Sequence, residues 1–159
     1  MAKIDEIKKG VDELRERLLI AEPAHFSKRD LVDAFFGALF LGVTFTIKGL
    51  LIQVSKALDG LHLFLIIIST LIILTAEIYF IGYSKVKKKS QRRFGQFWLK
   101  RIVAFYFVAV ITSAFLTYLF GLNLLPDINN DFFSVFRLVV LISLPCAIGA
   151  AITDLIKKY

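Results

Sequence analysis

Five charged side chains fall inside the apolar stretches of this 159-residue chain: Asp33, Lys48, Glu77, Arg137 and Asp154. A charge on a segment apolar enough to sit in lipid is costly, so each must find a partner, water or a route to the interface. Two chemistries fit the set. Acids that share one depth can gather cations or pass protons along a polar path. The structural alternative is that Asp33, Asp154 and Arg137, close to span ends, reach the headgroups, while Lys48 snorkels along its own stem. Glu77 fits that alternative least well. It lies six residues, about 9 Å of helix rise, inside the expected membrane boundary, between Ala76 and Ile78, and needs a proton, a partner or a cavity. Asp33 and Lys85 are nearer to it in height than Lys48.

At 100° per residue, Asp33, Gly37, Thr44 and Lys48 fall within an arc of about 60° on one helix face. Thr70, Glu77 and Ser84 align on a second segment, Tyr106, Ser113 and Thr117 on a third, and Ser143, Ala147 and Asp154 on a fourth. If these stripes face one another they line a path. Its candidate residues are Glu77, Asp33, Asp154, Lys48, Thr44 and Thr70, with the three acids toward one end.

Enzymatic chemistry finds no support in the sequence. No nucleophile stands at a recognisable spacing from a base, no glycine loop could cradle a phosphate, and no His or carboxylate motif has metal-ligand spacing. His25 precedes the first apolar segment and His62 opens the second, so the two are expected on opposite sides of the membrane. With one cysteine and two histidines, an internal disulfide and a His/Cys zinc module are excluded. No enzyme activity, cofactor or bound metal is expected.

The elements that must position these residues follow from composition. Apolar residues make up 57% of the chain and charged residues 21%, with 16 Phe and a mean hydropathy of +0.71, beyond the usual balance of a soluble domain. The uncharged windows are 34–47, 60–76, 102–126 and 138–153. A span needs about 20 residues at 1.5 Å each, so all but the third reach that length only by including a charge. Spans are expected near 31–53, 61–83, 102–122 and 134–156. Continuous runs such as Leu63-Phe64-Leu65-Ile66-Ile67-Ile68 exclude a β-barrel, which alternates. The fold class is therefore all-α: a polytopic, four-helix membrane bundle over 31–159.

Orientation follows from the basic residues. The loop 84–101 holds eight Lys or Arg, among them Lys85, Lys87, Lys88, Lys89, Arg92 and Arg93, whereas 123–133 holds none. The first loop is expected inside, with both termini of a multi-pass cell-membrane protein. Lys48, Lys56 and Arg137 are the three basic residues outside the N-terminal segment, this loop and the last three residues. The +7 net charge is explained by topology and by anionic lipid headgroups, which the basic loop would contact, and not by nucleic acid. A partner protein could use the same loop.

Residues 1–22 read as a cytoplasmic helix, because Ile4, Ile7, Val11, Leu14 and Leu18 keep a heptad seam. The seam can zip against a neighbouring copy, dock on its own chain or lie on the membrane. Five basic and six acidic residues from Lys3 to Glu22 favour the protein partners over the membrane. Glu22-Pro23 ends the helix, and 23–30 is a linker in which Ser27 or Asp30 could cap the first span. No removable targeting segment is expected in this charged region.

Small residues mark the packing faces. Ala34, Ala38, Gly42 and Thr46 recur every fourth residue, and the last span concentrates Ser143, Cys146, Ala147, Gly149, Ala150 and Ala151, so helices can approach closely there. Pro145 interrupts the second set and is a candidate hinge or a static bend. Lys28-Arg29 precedes Gly49-Leu50 by the same interval that separates Lys100-Arg101 from Gly121-Leu122, which suggests a parallel internal repeat.

The stretch Asp30-Leu31-Val32-Asp33-Ala34-Phe35-Phe36-Gly37-Ala38-Leu39-Phe40-Leu41-Gly42, with Ser143-Leu144-Pro145-Cys146-Ala147-Ile148-Gly149-Ala150-Ala151, resembles an uncharacterised family of prokaryotic integral membrane proteins known by a domain of unknown function. The resemblance implies a polytopic bundle and structural weight on Gly37, Gly42 and Pro145, and no activity. Members often continue longer than four spans, which makes a homo-oligomer the expected form. The sequence thus points to a small cation channel or transporter-like pore, or to a non-transporting scaffold or regulatory subunit that binds a partner or anionic lipid.

Overall fold

The protein is described by a computed structural model covering residues 28–81, 96–126, 128 and 131–157. The heptad segment 1–22, the linker up to Ser27 and the basic residues Lys85 to Arg93 lie outside the described residues. Among the described residues every regular element is helical: α1 (Lys28–Ile47), α2 (Leu50–Ala57), α3 (Gly60–Ala76) with a π-helical turn over Glu77–Ile81, α4 (Gln96–Leu119), a 3-10 turn over Leu122–Leu124, and α5 (Phe132–Lys157). Four stretches are long and apolar enough to span a membrane: Lys28–Ile47, Gly60–Tyr79, Leu99–Leu119 and Phe132–Thr153.

The first span ends earlier than the apolar pattern suggests. Gly49 adopts φ 68°, a left-handed conformation that a Cβ disfavours, and its N–H donates to the Thr46 carbonyl at 3.2 Å. The chain turns there and restarts as α2, with Ile52 N–H donating to the Gly49 carbonyl at 3.1 Å. Residues expected at the end of a helix over 31–53 therefore form a separate short helix. Gly121, at φ 63°, ends α4 in the same way, its N–H donating to the Tyr118 carbonyl at 3.1 Å. Both positive-φ glycines occupy the positions of the sequence correspondence noted above. Residues 96–101, expected in the basic loop, belong to α4, which begins at Gln96.

Helix α5 is the hub. It packs most extensively on α1, then on α4 and α3, and it also touches α2. Its own sequence explains this: Cys146, Ala147, Ala150 and Ala151 are buried with almost no surface left, and short side chains let three neighbours approach one helix. The helix continues through Pro145, which is buried. The opposite faces carry large apolar side chains. Phe36, Phe40, Phe64, Ile72, Val103, Phe107 and Tyr118 are all exposed, a girdle far larger than a water-soluble monomer presents and suited to lipid.

Candidate functional site in the membrane interior

The interface of α1 with α5 is built from the absence of side chains. The buried residues of α1 are Ala34, Ala38, Gly42 and Thr46, the four-residue stripe visible in the sequence. Gly37 lies beside them, and a Cβ on it would collide with the Gly149 carbonyl oxygen and the Thr153 side chain. A Cβ on Gly42 would sit 2.6 Å from Cys146 Sγ and 2.6 Å from Leu116 Cδ1. Because Gly37 meets Gly149 and Thr153 while Gly42 meets Cys146, α1 and α5 run antiparallel, and Asp33 lies at the level of the last turns of α5, where Asp154 is. The Asp154 side chain is outside the described residues.

Hydroxyl groups in the core are satisfied locally. Thr46 donates to the Gly42 carbonyl (2.7 Å), Thr70 to Ile66 (2.7 Å), Thr112 to Val108 (2.8 Å), Thr117 to Ser113 (2.8 Å) and Thr153 to Gly149 (2.8 Å). Each bonds its own helix four residues back, which removes the cost of a bare hydroxyl among apolar atoms. Ser143 donates to Val140 (2.7 Å) and also pairs with the Tyr106 hydroxyl. The third and fourth polar stripes thus meet.

The first stripe divides. Gly37 faces α5, while Thr44 and Lys48 are exposed, Thr44 donating to the Phe40 carbonyl at 2.9 Å and Lys48 Nζ standing 5.8 Å from the Phe45 ring centroid. Close approach is available only where side chains are small, so the Ala/Gly stripe takes the contact and turns Thr44 and Lys48 outward. Within a single chain, therefore, the four stripes do not all face one interior. Thr70 is buried, Thr44 and Lys48 are exposed, and Asp33 is half-buried.

Glu77 stands apart. Helix α3 changes from α to π geometry at this residue, whose N–H is shared between the Ile73 and Leu74 carbonyls. A π turn holds one extra residue and re-aims the side chains that follow. Ile78 joins the core, and the turn packs on α4 and α5. Glu77 Oε2 is buried and has no hydrogen-bond partner among the described residues. A buried acceptor left unmade costs about 1–3 kcal/mol, and more when charged, so this oxygen calls for a proton, a cation or water. Nothing in the sequence announces the π turn.

At the other end of the bundle two basic residues come together: Arg137, one of the five charges within the apolar stretches and expected to reach the headgroups, and Lys56. They line one cavity of about 220 Å³ together with Ser55, Ile128 and Ser134. Among the described residues, no group of three or more His, Cys, Asp or Glu could hold a metal ion.

A family model described as "Putative integral membrane protein (DUF2391)" matches residues 8–156. The chain belongs to this family. DUF2391 is a domain of unknown function, so membership establishes an integral membrane protein and assigns no activity. No curated protein and no solved structure matches the chain.

Proposed function

We propose that this DUF2391 protein is a small cation-conducting or transporter-like protein of the cell membrane, working as a homo-oligomer. The observation that carries this reading is the open, buried Oε2 of Glu77 at the α-to-π change in α3. An ionised carboxylate in lipid is tolerated when a cation or water meets it, and exchange of that companion is an elementary transport step. Asp33 on α1 and Asp154 on α5 stand at one end of the bundle and supply negative charge at the mouth. The basic segment that precedes α4 holds that end inside, with both termini cytoplasmic. The path runs between copies, because Thr44 and Lys48 face outward from each subunit while its own core hydroxyls are already bonded. The N-terminal heptad seam supplies a second contact between copies.

The test is cation flux into liposomes holding the purified protein, wild type beside Glu77→Gln, with several monovalent ions and both pH gradients. Flux that falls about tenfold or more in the variant while the assembly stays intact supports the reading. Absence of flux from well-folded wild type refutes it.

A second reading has its own support. The self-bonded core hydroxyls leave no continuous polar row inside one subunit, which suits a scaffold or regulatory subunit whose basic loop binds anionic lipid or a partner protein. That reading predicts no flux and retention of anionic lipid by Lys85, Lys87, Lys88, Lys89, Arg92 and Arg93.

A further inference from the structure

The two halves of the chain keep one backbone register, offset by 72 residues as from Gly49 to Gly121. The N–H groups of Gly49 and Gly121 donate to the Thr46 and Tyr118 carbonyls, and their own carbonyls accept from Ile52 and Leu124. Helix α3 starts at Gly60 and α5 at the matching Phe132. The Asp59 and Asp131 carbonyls accept from Leu63 and Val135 at 3.1 and 2.9 Å. One chain therefore builds the same helix–turn–helix path twice, and α5 serves as an internal control for α3.

At each matched position α3 is the less restrained helix. Asp131 caps α5, its Oδ2 accepting the N–H and the hydroxyl of Ser134, both at 3.0 Å. The matching Asp59 makes no side-chain cap bond to α3, and His62 stands where Ser134 would. Loss of a cap weakens the first turn of a helix. Leu58 and Asp59 are extended, and around Gly60, the match of Phe132, nothing lies within 4 Å of a Cβ position. No neighbour opposes a swing there. Further along, Gly149 fastens α5 to the Gly37 backbone of α1, while the matching residue of α3 is Glu77, where the helix passes into the π turn. Burial follows the same order: 61% of the α5 span is buried and 22% of the α3 span. The α1 span is buried to the same 22%, but its Gly37–Gly149 contact holds it.

We propose that α3 is the moving helix of the bundle. It swings at the Leu58–Gly60 link and carries Glu77 toward and away from α4 and α5, against which the π turn packs, while α1, α4 and α5 stay together. The hinge stands on its own geometry; its purpose, to open and close access of water and a cation to Glu77, rests on the transport reading. Pairs of spin labels on the full chain, in a Cys146→Ala background and diluted with unlabelled protein, test it by the width of their distance distributions. Val32→Cys with Ile72→Cys reads α3 against α1, and Val32→Cys with Val103→Cys reads α4 against α1, all three positions being exposed. The α3 pair is expected to be about twice as broad as the α4 pair, or two-peaked. His62→Ser gives Asp59 the partner that Asp131 has, and is expected to lower the minor population about fivefold, the shift that one added cap supplies. Equally narrow distributions for the two pairs would overturn the inference, as would an α3 distribution unchanged by His62→Ser. Flux from wild type with a fixed α3 overturns the hinge alone, and a moving α3 without flux overturns the transport reading alone.

Discussion

Gly37 and Gly149 touch backbone to backbone across the α1–α5 interface, and neither has room for a Cβ. In lipid, apolar burial does not drive one helix against another, so close packing must do so. This contact lets α1 lie against the hub helix, and it fixes Asp33 near the end of α5.

Alanine at Gly149 is therefore expected to destabilise the bundle by about 1–3 kcal/mol, the usual range for forcing atoms into a packed interior. Its new Cβ would strike backbone, the Gly37 carbonyl, which cannot swing aside. Gly42→Ala is expected to cost less, since it meets the Cys146 and Leu116 side chains, and Gly60→Ala to cost nothing by crowding, since nothing lies within 4 Å. Denaturation midpoints in detergent micelles rank the three.

Two further glycines act through φ alone. Gly49→Ala and Gly121→Ala each place a Cβ in the left-handed region with no neighbour to strike, at a cost of about 1–2 kcal/mol. The same unfolding assay should show two similar losses. Equal stability to wild type would mean that the helix breaks lie elsewhere.

Glu77→Leu separates transport from folding. Replacing it removes the buried Oε2, which has no hydrogen-bond partner among the described residues, so stability should stay unchanged or rise, while flux disappears. A strongly destabilised Glu77→Leu protein would show that the carboxyl is held by a structural partner.

Cys146 is fully buried. A maleimide should leave the folded protein unlabelled in membranes and label it after denaturation in sodium dodecyl sulfate. Rapid labelling of the native protein would mean that the α1–α5 interface opens.

The parts of this fold that were legible in the sequence are those set by composition and period. Apolar windows mark the four spans, and Ala34, Ala38, Gly42 and Thr46 mark the buried face of α1, because lipid demands length and close packing demands small residues. The Gly49 break was not legible as such. A glycine in a membrane helix looks the same whether it turns the chain, as Gly49 does, or admits a neighbour, as Gly37 does. Only the matching interval at Gly121 hinted at the difference. Which way each polar stripe turns is not legible, because periodicity gives each helix a face but not a rotation, and the small residues set the rotation. The Arg137–Lys56 cavity joins two residues far apart in sequence, and no local pattern could pair them.

The central claim is that water or a cation reaches Glu77 within the membrane. Glu77→Cys on a Cys146→Ala background, in sealed vesicles, puts a single thiol at that position. A membrane-impermeant maleimide should label it from the side that carries the basic loop, and a permeant cation in excess should slow the reaction. A thiol that reacts only after denaturation would contradict the account, because residue 77 would then be packed dry.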